Sequence, residues 1–375
     1  MGSTPPGTPP LTGFTIGVTA DRRRDELAAL LRRRGADVVM APAMRIVPLV
    51  DDELLRAATA ACLSGPLDYV VATTGVGWRA WINAAEDWGT GEALLAACRG
   101  AVLISRGPKA TGALRACGLR EGYAPDSEAL DEVLAWLLAR DLRGRRVAVQ
   151  QHGAPLAEFT EALRHQGASV VEVPVYRWGP PEDPAAVRRL AERTLRREVH
   201  ALPFTSAPAI EAFLASGDRG ELLAALRQDV LPACIGPVCA RPLLAAGVPC
   251  VWPERGRLGS LVRTLTREVI RHHRRELVTP AGPLALQGTA VLAADAVLRL
   301  PPVPAAVLAA LADRPGTVLS RAELLRRAWP GPSRRRPDEH AVEAAVGRLR
   351  TALGPYGHLV GTVTKRGYRL VAGAG

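Results

Sequence analysis

At 375 residues the chain exceeds the roughly 250–300 residues at which one hydrophobic core stops growing, so two or more domains are expected. Hydrophobic residues make up 48% and aromatics 4%; 48 Lys and Arg against 37 Asp and Glu give a net charge of +11, which disfavours an acidic solvating chain and favours polyanionic partners. The six cysteines (Cys62, Cys98, Cys117, Cys234, Cys239, Cys250) form no CxxC pair and have no His at zinc-ligand spacing, so neither a metal site nor a disulfide framework is expected.

The opening MGSTPPGTPP reads as a disordered lead over residues 1–12 with no apolar signal core. Pro6 stands where an N-myristoylation pattern needs Ser or Thr, and no apolar run approaches the ~18 residues of a membrane span, so a cytoplasmic protein with no membrane partner is expected. A β run over Phe14–Thr19, an amphipathic helix near Asp25–Arg34, a Gly35 stop and a β run over Val38–Ala41 follow. The same order recurs in Val147–Gln150, Pro155–His165, Gly167 and Ser169–Val175. Aligning RRRGADVVMAPAMR with RHQGASVVEVPVYR puts Gly35 on Gly167 and Pro42 on Pro174, which suggests a duplicated half-domain.

Further strand-then-loop units begin at Leu67 (LDYVVATTGVGW), Ala101 (AVLISRGPKATGAL), His200 (HALPFTSAPAI) and Pro232 (PACIGPVCARPLLAAG). Buried strands alternating with helices predict an α/β fold of two doubly wound parallel-sheet lobes over residues 13–271. Lobe 1 takes 13–45 plus 178–271 and lobe 2 takes 46–177, with a ligand cleft expected at the strand C-termini. After a helix over Leu258–Arg271, the run HHRRELVT reads as a linker, 272–281.

From 282 to the end the pattern changes to α+β. PLALQGTAVLAADAVLRL alternates like short antiparallel strands; helices are predicted over Pro304–Asp313, Arg321–Ala328 with Ser320 as cap, and about Pro337–Leu353; GTVTKRGYRLV reads as a hairpin. Residues 276–375 hold 13 basic and 7 acidic side chains, a net +6 in the last hundred residues. In the third helix Val342, Val346, Leu349 and Leu353 share one stripe, which leaves Arg348 and Arg350 on other faces.

VLSRAELLRRAW, AVEAAVGRLRTALG and GTVTKRGYRL, in that order, resemble the winged-helix DNA-binding domain of the OmpR/PhoB-type response regulators. The resemblance implies transcription regulation and double-stranded DNA as partner. It places Arg348 at base edges and Arg350 and Thr362 at phosphates, with His340 on the same helix and Gly367 and Tyr368 behind the wing tip. Thr364 stands where the family commonly has an Arg, and the following Lys365 and Arg366 are candidates for the minor groove. Ala345 and Ala352 replace a usual polar and a usual basic residue, which implies a different specificity. Arg334, Arg335 and Arg336 fall in the loop before the recognition helix, where the family meets the backbone or polymerase.

No receiver domain precedes it: Asp68 begins its strand instead of ending it, and Asp21 stands alone. Instead RRRGADVVMAPAM, DYVVATTGVG, RGPKATGALRACGL, DLRGRRVAVQ, RHQGASVVEVPVYR, PFTSAPAIEAF and CIGPVCARPLLAAG resemble uroporphyrinogen-III synthase, an enzyme of porphyrin biosynthesis. That family cyclises a linear tetrapyrrole in its cleft without a cofactor, so no cofactor is expected. The resemblance makes Tyr176 a candidate general acid. Thr73, Thr74, Arg106, Lys109, His152, Thr205, Ser206 and Gly236 are candidate ligand contacts. Two arginines expected of the family are replaced, by Ala20 after Thr19 and by the Gln151-His152-Gly153 loop. The pairing resembles actinobacterial regulators of nitrate and nitrite assimilation, and implies a regulator that senses a small anion or tetrapyrrole. The alternative is a bifunctional uroporphyrinogen-III synthase with a DNA-binding domain; a homodimer would suit paired half-sites.

Overall fold

The computed structural model describes residues 4–48, 53–153, 156–329 and 338–373. They form two compact units, one of residues 45–179 and one of 1–44 with 180–375.

In the second of these, four parallel strands lie in the order Asp37–Met40, Thr15–Val18, Ala201–Phe204, Leu231–Cys234. Ile16 and Val18 face a core with Leu27, Leu31, Leu261 and Leu265, while Leu202 and Phe204 join Leu190, Ile210 and Phe213 on the opposite side. This is the two-sided burial that a parallel sheet requires. Gly17 lies between those inward residues, and a Cβ there would meet Leu202 at 2.5 Å and Leu190 at 2.7 Å, so glycine sets the closeness of helix Pro184–Leu195.

The 45–179 unit has five strands ordered Arg45–Pro48, Ser169–Gly179, Arg146–Gly153, Tyr69–Ala72, Val102–Ser105. All neighbours are parallel except Arg45–Pro48, which runs antiparallel to Ser169–Gly179. The sheet is therefore mixed at one edge. The chain enters this unit through one of these strands and leaves through the other, so the two run oppositely side by side.

The duplicated turn is visible in the hydrogen bonds. Gly35 N–H donates to Arg32 (2.8 Å) and Ala36 N–H to Leu31 (3.3 Å); Gly167 N–H donates to Arg164 (2.9 Å) and Ala168 N–H to Leu163 (3.1 Å). Both glycines have positive φ, 88° and 86°. Each is the left-handed residue of a Schellman cap, which ends a helix and starts the next strand.

The C-terminal domain opens with a four-stranded antiparallel sheet, Arg274–Thr279, Gly282–Gln287, Ala290–Leu292 and Val297–Arg299. Residues expected to be a linker thus supply its first strand, because the ladder from Arg274 to Thr279 pairs fully with Gln287 to Gly282. Helices Pro302–Ala312, Arg321–Ala328 and Glu339–Leu353 and a hairpin of Val360–Val363 with Gly367–Leu370 complete the winged helix around one core. Ser320 caps the second helix in a reciprocal box with Glu323.

Residues 4–12, part of the segment expected to be disordered, are anchored at their C-terminal end. Leu11 is fully buried, and Gln287 Nε2 donates to the carbonyls of Pro10 and Thr12, both at 2.8 Å. Thr289 N–H donates to Gly13 O (2.8 Å), and Arg299 pairs with Asp37 (3.3 Å). The first strand of the α/β sheet is thereby tied to the winged-helix sheet.

His200 and His273 meet at this junction beside Phe14 (ring centroids 5.2–6.2 Å apart), and Thr15 N–H donates to His200 Nδ1 at 3.0 Å. Burial pushes His200 down to about 4 and His273 down to about 3. Because the folded values lie below the ordinary 6.5, the unfolded chain binds more protons between these limits, and stability is lost as pH falls. Urea unfolding should show an extra loss below pH 6.5 of up to about 1.4 kcal/mol per pH unit for each histidine. A His200→Gln variant should flatten that slope.

Candidate nucleic-acid interface and strand-end site

Asp338 starts the recognition helix Glu339–Leu353 by accepting from Ala341 N–H at 3.1 Å. Val342, Ala345, Val346, Leu349 and Leu353 are buried, so His340, Glu343, Ala344, Gly347, Arg348 and Thr351 form the exposed face. Arg348 lies on that face with no hydrogen bond or ion pair among the described residues. Gly347 beside it has open space where a Cβ would be, which lets a duplex approach the helix backbone. Gly347 was not among the expected contacts; its value lies in what it lacks.

Two expectations change. Ala345 is fully buried, so it replaces no DNA contact: the 342–346–349–353 stripe includes it at helical spacing. Arg350 is turned inward, its Nε and Nη2 donating to Val360 O (3.0 and 2.6 Å) and Nη2 to Thr362 Oγ1 (2.7 Å). Arg350 and Thr362 therefore bind each other across 12 residues and fix the wing to the helix, while the Thr362 hydroxyl keeps its own proton to donate outward. Arg334, Arg335 and Arg336 lie outside the described residues.

The wing is held from behind. Tyr368 exchanges backbone hydrogen bonds with Leu319 (2.8 and 3.0 Å), and a Cβ on Gly367 would stand 2.0 Å from Leu319 O. Thr364, Lys365 and Arg366 are exposed at the tip, and Lys365 has φ 58°, a left-handed conformation. Such a conformation costs a lysine on the order of 1 kcal/mol, with its charge held outward in return. Lys365→Gly should raise stability by up to about 1 kcal/mol and lower the slope of log affinity against log salt by about one, measured by thermal unfolding and salt-dependent titration.

In the 45–179 unit Thr73 and Thr74 follow the strand Tyr69–Ala72 and meet Gln150, which is fully buried, while Arg106 follows Val102–Ser105 and lies near Tyr176. Gln150 accepts from Thr73 N–H (3.2 Å) and donates to Thr74 O and Oγ1 (3.1 Å each); Thr73 Oγ1 donates to Gln150 O (3.0 Å), and Thr74 Oγ1 accepts from Gly77 N–H (3.2 Å) as helix cap. The Thr73 proton is thus committed to the fold, while Thr74 Oγ1 accepts twice and keeps its own proton. Burial lowers the pKa of Arg106, opposed by the nearby Tyr176 and Glu128. Tyr176 is 8% exposed and Lys109 exposed on the helix Pro108–Ala116. His152 sits in the strand Arg146–Gly153, and its side chain lies outside the described residues.

In the other unit Thr205 and Ser206 follow Ala201–Phe204, and Gly236 follows Leu231–Cys234. Ser206 and Gly236 begin helices Ala207–Leu214 and Pro237–Ala245, and neither start has a side-chain cap. Thr19, at the end of the neighbouring strand, is fully buried and its Oγ1 has no hydrogen-bond partner among the described residues. Only that orphaned hydroxyl marks it as more than core.

These elements define an α/β protein with polar strand ends, continued into a winged helix whose recognition face is open. Residues 25–263 match the family model of uroporphyrinogen-III synthase HemD, and residues 295–370 match that of the transcriptional regulatory protein C-terminal domain. The chain belongs to the uroporphyrinogen-III synthase HemD family and carries a DNA-binding domain of the OmpR/PhoB type. Among similar proteins are the uncharacterized protein YjjA of Bacillus subtilis strain 168 (26% identical over 265 residues, 68% of this chain and 96% of that one) and a mutant uroporphyrinogen III synthase of the extremely thermophilic bacterium Thermus thermophilus. The crystal structure of the latter matches with 30% identity and a TM-score of 0.59, covering 69% of this chain and 99% of that one. No described helix is long and apolar enough to cross a membrane.

Proposed function

We propose that the protein is a one-component transcription regulator: the winged helix binds double-stranded DNA, and the synthase-like domain senses a small anion or a linear tetrapyrrole that alters this binding. The observation that carries the reading is Arg348, exposed and without a partner among the described residues, beside Gly347 on the recognition helix, in a last hundred residues of net charge +6. A guanidinium so placed can bridge guanine O6 and N7. Sensing is supported by the uncapped helix starts at Ser206 and Gly236, whose backbone N–H groups suit an anion, and by Arg106 and Lys109 in the other unit.

A bifunctional synthase is the second reading, favoured by the buried Tyr176 beside Arg106. The replacement of two expected arginines at Ala20 and Gln151 to Gly153 weighs against turnover of a polycarboxylate. Duplex selection from a random pool with the full chain, followed by titration with and without hydroxymethylbilane, tests both. The regulator reading expects one enriched sequence, a change of fivefold or more in Kd with ligand, and only spontaneous type I product. Type III product well above background establishes the synthase, and no enriched duplex removes the regulator. Enriched sequences with paired half-sites would support a homodimer.

A further inference from the structure

We infer that the cavity where the α/β domain meets the winged helix is a second ligand site, taking a small organic anion with a flat apolar body. This inference does not depend on the strand-end site. The cavity, open to solvent on one side, holds about 1270 Å³, above the roughly 300–1,000 Å³ of ordinary ligand sites, so a ligand would occupy part of it. One wall comes from residues 192–251 and the other from 272–329, both within one compact unit.

Charge and shape select the ligand. Six arginines line the cavity against four carboxylates, and the acids are already used. Arg197 holds Asp229 at 2.9 Å, Arg193 and Arg196 share Glu198, and Asp313 is divided between Arg275 (3.5 Å) and Arg327 (3.7 Å). Arg227 has no carboxylate partner among the described residues; its guanidinium donates only to the carbonyls of Ala246 (2.9 Å) and Gly247 (3.1 Å). An incoming anion therefore finds unspent donors. Opposite them, Val303, Ala306 and Ala309 recur every third residue on helix Pro302–Ala312, half-buried and short, with Trp329 alongside. A surface of alanines and an indole accepts a flat apolar group and gives an anion no further partner.

Because one wall belongs to the first helix of the winged helix, occupancy also touches the scaffold that carries the recognition helix. Anilinonaphthalene sulfonate, an anionic aromatic dye, and phenylnaphthylamine, its uncharged counterpart, probe both features on the full chain. The expected result is saturable binding of about one equivalent of the sulfonate, at least tenfold tighter than the amine. Ala306→Trp, which sets an indole across the small-residue wall that the flat group would stack on, should weaken it tenfold or more, and Arg227→Gln severalfold; both variants should keep a cooperative thermal transition, which separates lost binding from lost folding. Equal binding of the two dyes would overturn the anion assignment. Unchanged sulfonate binding in a folded Ala306→Trp protein, or no saturable binding by the wild type, would overturn the site.

Discussion

Arg348→Ala should weaken binding to the selected duplex by about ten- to a hundredfold, the 1–3 kcal/mol of a lost bidentate base contact, with little effect on unrelated duplexes. The expectation follows from position: the side chain is exposed, has no partner among the described residues, and projects next to a glycine on the outward face of the helix. Arg350→Ala, two residues on, is the informative contrast. It removes three hydrogen bonds to Val360 and Thr362, so its effect should appear first as a loosened wing and lower stability. Anisotropy titrations of both variants against specific and scrambled duplexes separate the roles; an Arg348→Ala protein that still discriminates the two would remove the base-reading assignment.

The second large effect is structural. Gln287→Leu nearly keeps the volume but leaves the buried carbonyl of Thr12 and the part-buried carbonyl of Pro10 without their donor, and should cost about 1–3 kcal/mol. Alongside a lower unfolding temperature, the segment 4–12 should become open to proteolysis. A variant as stable and as protease-resistant as the wild type would mean that the junction does not rest on this amide.

The fold was legible where side-chain pattern and backbone agree. Glycines 35 and 167 could be aligned because only a left-handed residue serves their caps, and Ser320 with Glu323 is a reciprocal cap that spacing alone reveals. Arg274–Thr279 was hidden because only Leu277 and Thr279 of its six residues are buried, so it reads as polar linker; its partner strand, not its own pattern, makes it a strand. The N-terminal segment was hidden for a related reason: apart from the lone apolar Leu11 it is held through its backbone, which every residue possesses and no sequence displays.

At the site, resemblance located the recognition helix, but Ala345 and Arg350 needed geometry. Helical spacing alone would have buried Ala345, while the partners of Arg350 lie 10 and 12 residues away in the wing. Thr73 looked like a free donor because Gln150, 77 residues along the chain, is invisible to local pattern.

The interleaving of the two ends of the chain sets a timetable for synthesis. Thr15 bonds a residue 185 positions later, and Gln287 closes on Pro10 across 277. At roughly 5–20 residues per second, Thr15–Val18 leaves the ribosome about 10–40 s before Ala201–Phe204, its partner on the side away from Asp37–Met40, is made. Until then Ile16 and Val18 can meet Leu27 and Leu31 but not Leu261 and Leu265, and one edge of the strand stays unpaired, so the earliest-made part of the front domain is among the last to be completed, and that interval is when a chaperone has most to protect.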